Sequence, residues 1–270
     1  MSDNPLSDHH LSAHPFSEDW PRLREIAESQ GVAGVIASIE AEVDPVQRRG
    51  LYSIAVQKLS HQSWPDSSLD NTIGIARAAI EEGIRQAKTE SDQNEAARRI
   101  EYANVLSYNL SADLAICWPN DDRPRESRHF EAGLSAAEDC LRWRKELKKG
   151  AFPFSIAWWA HGIHALSLGR CEVAIESFSQ SLIKAKVVAE EEGRSTKVGA
   201  DANFSVNLAA GYLGLARWRQ GEDGGEKEFL AAIDAFRSQG LRHLDEQQET
   251  EFGVAQLETA ASRIVSNSLQ

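Results

Sequence analysis

The sequence predicts an all-α protein: an α-solenoid of about five antiparallel helix hairpins closed by a C-terminal capping helix. Three observations predict it. Strand formers are sparse, while Ala, Leu, Ile, Glu, Gln and Arg fill long runs, a composition that leans to helix. Apolar residues recur at i, i+3 and i+4 from residue 19 onward, the period of a helix with one buried face. The periodic segments are separated by short punctuation, and short connections imply antiparallel neighbours stacked in chain order. No break in composition marks a domain boundary. The expected organisation is therefore a mobile tail over residues 1–17 and one helical domain over 18–270.

The elements follow in order. Residues 1–17 are Ser, Asp, His and Pro without a period, and His9, His10 and His14 there lack the surrounding ligands of a metal site. A short helix, "DWPRLREIAESQG", ends at Gly31, and a second covers 32–43. The third, over 44–59, opens with Asp44 as N-cap and Pro45 at the first helical position, and buries Leu51, Ile54, Ala55 and Leu59. The fourth, 69–88, carries Ile73, Ala76, Ile80 and Ile84 on one stripe. The fifth, 91–117, aligns Ile100, Ala103, Ser107, Leu110 and Leu114 and stops at the loop "WPNDDRP". A helix over 125–149 is ended by Gly150; Pro153 opens the next, which Gly169 closes. Helices over 171–192, 195–220, 223–239 and 244–267 complete eleven in all.

Charge and composition exclude several classes. With 41 acidic against 29 basic residues and a formal charge of −12, the chain lacks the clustered Lys and Arg from which nucleic-acid binders draw affinity. The richest basic stretch, "RWRKELKK", ends a predicted helix, where it complements the macrodipole. Cys117, Cys140 and Cys171 are odd in number, far apart and within helical patterns, which suits a reducing compartment. The first residues have neither the basic nor the apolar region of a secretory signal, and no apolar run reaches 18 residues. The expectation is a cytoplasmic protein without a membrane partner. No phosphate-binding, dinucleotide, nucleophile-elbow or HExxH motif occurs, so no cofactor, metal or catalytic residue is assigned.

One stretch carries a more specific signal. In "AWWAHGIHALSLGRCEVAIESFSQSL" the order Trp158, Gly162, Gly169, Ala174, Phe178, Leu182 resembles a tetratricopeptide repeat (TPR) unit. The resemblance assigns each residue a physical task. Gly162 lets the second helix approach the first, Gly169 makes the turn, Ala174 meets the small site, and Phe178 with Leu182 fills the groove against the next repeat. Trp158 packs from the opposite side. Gly214 and Gly221 repeat the spacing of Gly162 and Gly169, with Gly225, Phe229 and Ala232 reaching the needed face after a one-residue register shift. The match covers 152–184 well and 31–62 and 200–236 in weaker form; equivalent helices begin near 45, 91, 152 and 195, longer than the family period of about 34 residues.

The resemblance implies a non-enzymatic module that binds a protein or peptide on the concave face lined by the first helix of each hairpin. The residues it places there are Tyr52, Val56, Asn104, Tyr108, Trp159, Ile163, Tyr212 and Leu215. Some TPR domains hold a C-terminal carboxylate with Lys, Asn and Arg; here the places are apolar and aromatic, which suits a peptide with hydrophobic anchors. Burial of Trp159 and Tyr108 under neighbouring helices is the competing expectation. An enzyme or small-ligand sensor with a site around His161, His164 and Glu176 is the alternative function. The oligomeric state is open.

Overall fold

The computed structural model describes residues 17–61, 64 and 67–265. The expected tail 1–17 lies almost wholly outside the described residues. Among them the chain is helical throughout, with ten α-helices: α1 (Trp20–Glu40), α2 (Pro45–Leu59), α3 (Leu69–Thr89), α4 (Gln93–Leu114), α5 (Ser127–Glu146), α6 (Ala151–Ser167), α7 (Cys171–Glu191), α8 (Phe204–Gln220), α9 (Gly225–Arg242) and α10 (Gln247–Val265). The eleven predicted helices become ten because the first two run together as α1. The predicted break survives inside it as a kink at Gly31, whose φ of 68° and ψ of −171° are non-helical. The chain divides between Ser107 and Tyr108, within α4, into two compact units, a division that no change in composition announces.

In the first unit α1 packs on α2 and α3, and α2 packs on α3, around Leu23, Ile39, Leu51, Ile54, Leu59 and Ile75. The start of α2 is the one expected: Asp44 Oδ1 accepts the Val46 N–H at 2.8 Å, and Pro45 follows the cap. The Tyr102 ring of α4 lies over Gly83 of α3, where a Cβ would come within 2.8 Å of the ring. Its hydroxyl donates to the Arg49 carbonyl of α2 at 3.3 Å. Glu82 is buried but not isolated, since Arg48 Nε donates to it at 2.6 Å and Arg85 and Gln86 close around it.

In the second unit consecutive helices from α5 to α10 pack on one another, with α6 also touching α8 and α8 touching α10. The "WPNDDRP" loop is held by its own chemistry. Asp121, nearly inaccessible, accepts Arg123 Nε at 2.9 Å, Arg123 Nη2 at 2.7 Å and Arg125 Nη2 at 2.6 Å. Burial alone would raise the Asp121 carboxyl; the hydrogen bonds from Arg123 and Arg125 outweigh it and hold it at about 2. Arg263 of α10 donates to the carbonyls of Ile116 at 2.9 Å and Trp118 at 3.2 Å, pinning the loop from the far end of the chain.

Several predicted boundaries move. Helix α5 ends at Glu146 before Gly150 is reached, and Lys148 takes the left-handed turn (φ 52°) that usually falls to glycine. The predicted helix over 195–220 begins only at Phe204: Gly193 and Gly199 have positive φ, and Asn203 caps α8 by accepting the Ser205 N–H at 2.8 Å. Likewise 244–246 is a 3-10 turn ahead of α10.

Candidate functional site

The two histidines of α6 have separate partners. His161 Nδ1 lies 2.8 Å from Ser177 Oγ on α7. That hydroxyl spends its single proton on the Val173 carbonyl at 2.6 Å, so Nδ1–H is the donor and Nε2 keeps its lone pair. Burial lowers the His161 pKa, against the pull of Glu138 at 3.9 Å. His164 is inaccessible and its Nε2–H donates to the Ser111 carbonyl at 2.8 Å, the only role a carbonyl partner permits. Burial pushes its pKa down to about 4, so the ring is neutral at pH 7. Glu176 pairs with Gln180 Nε2 at 2.9 Å on the exposed side of α7. The three side chains do not converge on one site. Among the described residues no group of three or more His, Cys, Asp or Glu side chains could hold a metal ion, and His9, His10 and His14 lie outside them.

The eight residues expected to line a groove are placed as follows. In the first unit Tyr52 is in the core of α2, with burial raising its hydroxyl to about 12, and Val56 beside it is half-buried. Asn104 is buried on α4 and donates to Glu101 at 3.0 Å. In the second unit Trp159, Ile163, Tyr212 and Leu215 all belong to the central core cluster, at 6%, 0%, 0% and 0% exposure. Tyr108 packs against that cluster under the Arg144 guanidinium, 4.9 Å from its ring, and burial raises its hydroxyl to about 12.

The aromatic strip is thus the seam between α6 and α8 rather than an open surface. Trp159 meets Trp118 edge-on at 5.9 Å and Tyr212 at 6.0 Å, and Phe178 stacks on Tyr212 at 5.3 Å. The physical reason lies in the partners: Trp118 and Tyr212 receive the ring of Trp159. Trp158, expected to pack inward, is half-buried and edge-on to His161 at 5.6 Å, while Trp159 takes the core position.

An open apolar concavity lies elsewhere, along the hairpin of α9 and α10. It has a volume of about 490 Å³, and its floor is formed by Phe236, Gly240, Thr250, Val254 and Ala255. The lip on the α9 side is Leu241, 82% exposed, and Leu244 on the same connection is 75% exposed. The floor exists because α9 and α10 meet at a glycine: a Cβ on Gly240 would lie 2.5 Å from Thr250 Oγ1. Arg237 and Glu258 form an ion pair across one end at 3.0 Å, and Gln247 donates to Glu251 at 2.8 Å near the other. Sequence reasoning missed this groove. Its signal was two leucines, 241 and 244, in the polar run "GLRHLDEQQETEF" with no helical stripe to absorb them.

Comparison with protein-family models, with curated proteins and with solved structures gives no match.

Proposed function

We propose that this chain is a non-enzymatic binding module of stacked helical hairpins that holds a segment of another protein in the groove between α9 and α10. The carrying observation is that groove: an open concavity of about 490 Å³ with an apolar floor and a strongly exposed leucine at its lip. Isolated exposed leucines are ordinary on protein surfaces; one beside a concave apolar floor is the arrangement that receives a peptide.

TPR-like features support the same reading. Phe178 sits over Gly162, and Gly169 and Gly221 make equivalent left-handed turns at φ 74° and 83° after α6 and α8. These are the tasks the resemblance assigns to those positions. The role is that of an adaptor or regulatory module, with the binding surface moved from the buried aromatic strip to the C-terminal hairpin. No described helix is long and apolar enough to cross a membrane.

The test is display selection of random 16-residue peptides on the immobilised full chain, run in parallel on Val254→Asp, with circular dichroism confirming that both are folded. Sequences enriched on the wild type and lost on V254D are the expected result. Equal enrichment on both, or none, removes the groove from consideration.

A further inference from the structure

The charge around the groove says which kind of segment it fits. The groove runs along α10 from Gln247 to Glu258, a length of about 16 Å at the helical rise of 1.5 Å per residue, or three turns of a bound helix. Its α10 wall presents Glu251 and Glu258. On the α9 side Asp234 is exposed one turn from Arg237. Arg237 is the only base among the lining residues, and it is already shared between Glu258 at 3.0 Å and Asp234 at 3.6 Å. Arg242, the next base along α9, is turned to Asp201 at 2.7 Å. Arg194 is held by Glu246 at 2.7 Å. Arg237 offsets one of the three carboxylates Glu251, Glu258 and Asp234, while Arg242 and Arg194 are engaged with acids outside the groove lining, so the rim keeps an acidic excess.

Resting on the groove reading above, we infer that the occupant is a basic amphipathic helix: apolar anchors at i, i+3, i+4 and i+7 on the floor of Phe236, Val254 and Ala255, flanked by Lys or Arg facing Glu251 and Glu258. An acidic or neutral partner would leave the rim charges facing their own sign or desolvated without a partner, so the same rim that attracts a basic helix rejects an acidic one. Gln247 and Thr250 make the N-terminal end of the floor polar.

The experiment uses two fluorescein-labelled 15-residue peptides with one amphipathic pattern, one with Leu and Lys, the other with Leu and Glu. Fluorescence anisotropy is recorded with the full chain at low and physiological salt. The Leu/Lys peptide is expected to bind, more weakly as salt screens the rim. The double reversal E251K/E258K is expected to lose about tenfold for Leu/Lys, a change of about 1.4 kcal/mol, and to gain affinity for Leu/Glu. If the reversal does not fold, E251Q/E258Q is read for loss of Leu/Lys binding alone. Equal binding of Leu/Lys to wild type and variant overturns the inference, since the attraction would then belong to the net charge of the chain. Binding of Leu/Glu in preference to Leu/Lys, or of neither, overturns it too. So does concentration-dependent dimerisation abolished by L241D, which would assign the groove to a second copy. These results leave the groove reading to its own test, where enriched peptides of acidic or neutral character would uphold the groove and reject the basic helix.

Discussion

The ring of Phe178 on α7 lies so close over Gly162 on α6 that a Cβ at residue 162 would stand 2.6 Å from it. Phe178 is fully buried and stacks on Tyr212 of α8 on its other side, so it cannot yield without disturbing a third helix. A helical Gly→Ala change ordinarily stabilises by up to about 1 kcal/mol. Here the added methyl is expected to overpack the seam and cost ~1–3 kcal/mol instead. Gly74 on α3 is the control: its nearest neighbour to an added Cβ is Val32 at 3.8 Å, an ordinary contact. G162A is expected to lower the urea midpoint and G74A to raise it. Opposite signs are the result to look for; a stabilising G162A would mean that the α6–α7 contact is looser than described.

A buried amide, that of Asn207, ties the connection between α7 and α8 to the helices beneath it. Asn207 accepts the Gly199 N–H at 3.1 Å, and its Nδ2 donates to the Gly199 carbonyl at 3.1 Å and to Gln239 on α9 at 2.9 Å. Gln239 in turn donates to Glu246, which Arg194 holds in a two-pronged pair at 2.7 and 3.1 Å. Asn207→Ala removes the partner of the half-buried Gly199 backbone and of the buried Gln239 side-chain carbonyl, at an expected cost of about 2 kcal/mol. Hydrogen exchange is the discriminating measurement. Amides across 194–203 should lose protection while those of α6 and α7 keep theirs; a uniform loss would mean that the network supports the whole unit rather than the loop.

Helix existence was legible because its signals are local. Asp44, Pro45 and Gly169 act within a few residues of the ends they set, and Gly31 at the kink it makes inside α1. The 193–203 loop was not, because what holds it comes from Asn207, Gln239 and Glu246, and nothing in "RSTKVGADAN" forbids helix outright. The aromatic strip failed for a different reason. Adjacent tryptophans on a helix point about 100° apart, and only the positions of Trp118 and Tyr212 decide that 159, not 158, turns inward. The α9–α10 groove depends on the close approach of Gly240 to Thr250, a tertiary contact without a sequence motif.

Acid sensitivity should trace to His164. Its ring is sealed in the core, bonded to the Ser111 carbonyl, with a pKa depressed to about 4 from an ordinary 6.5. In the unfolded chain the same imidazole takes up a proton below pH 6.5, while the folded ring stays neutral until about pH 4. Protons are therefore bound on unfolding throughout that window, and the contribution is full above pH 6.5 and lost as pH falls toward 4. The slope is about 1.4 kcal/mol per pH unit inside the window. Other groups titrate in the same range, so the informative quantity is a difference. His164→Gln keeps an N–H for Ser111 and removes the titration. The stability gap between wild type and H164Q, from urea unfolding, is expected to shift by roughly 2–3 kcal/mol against the wild type between pH 7.5 and 4.5. A gap that does not change with pH would show that His164 is reached by solvent, or held as the imidazolium, in the folded state.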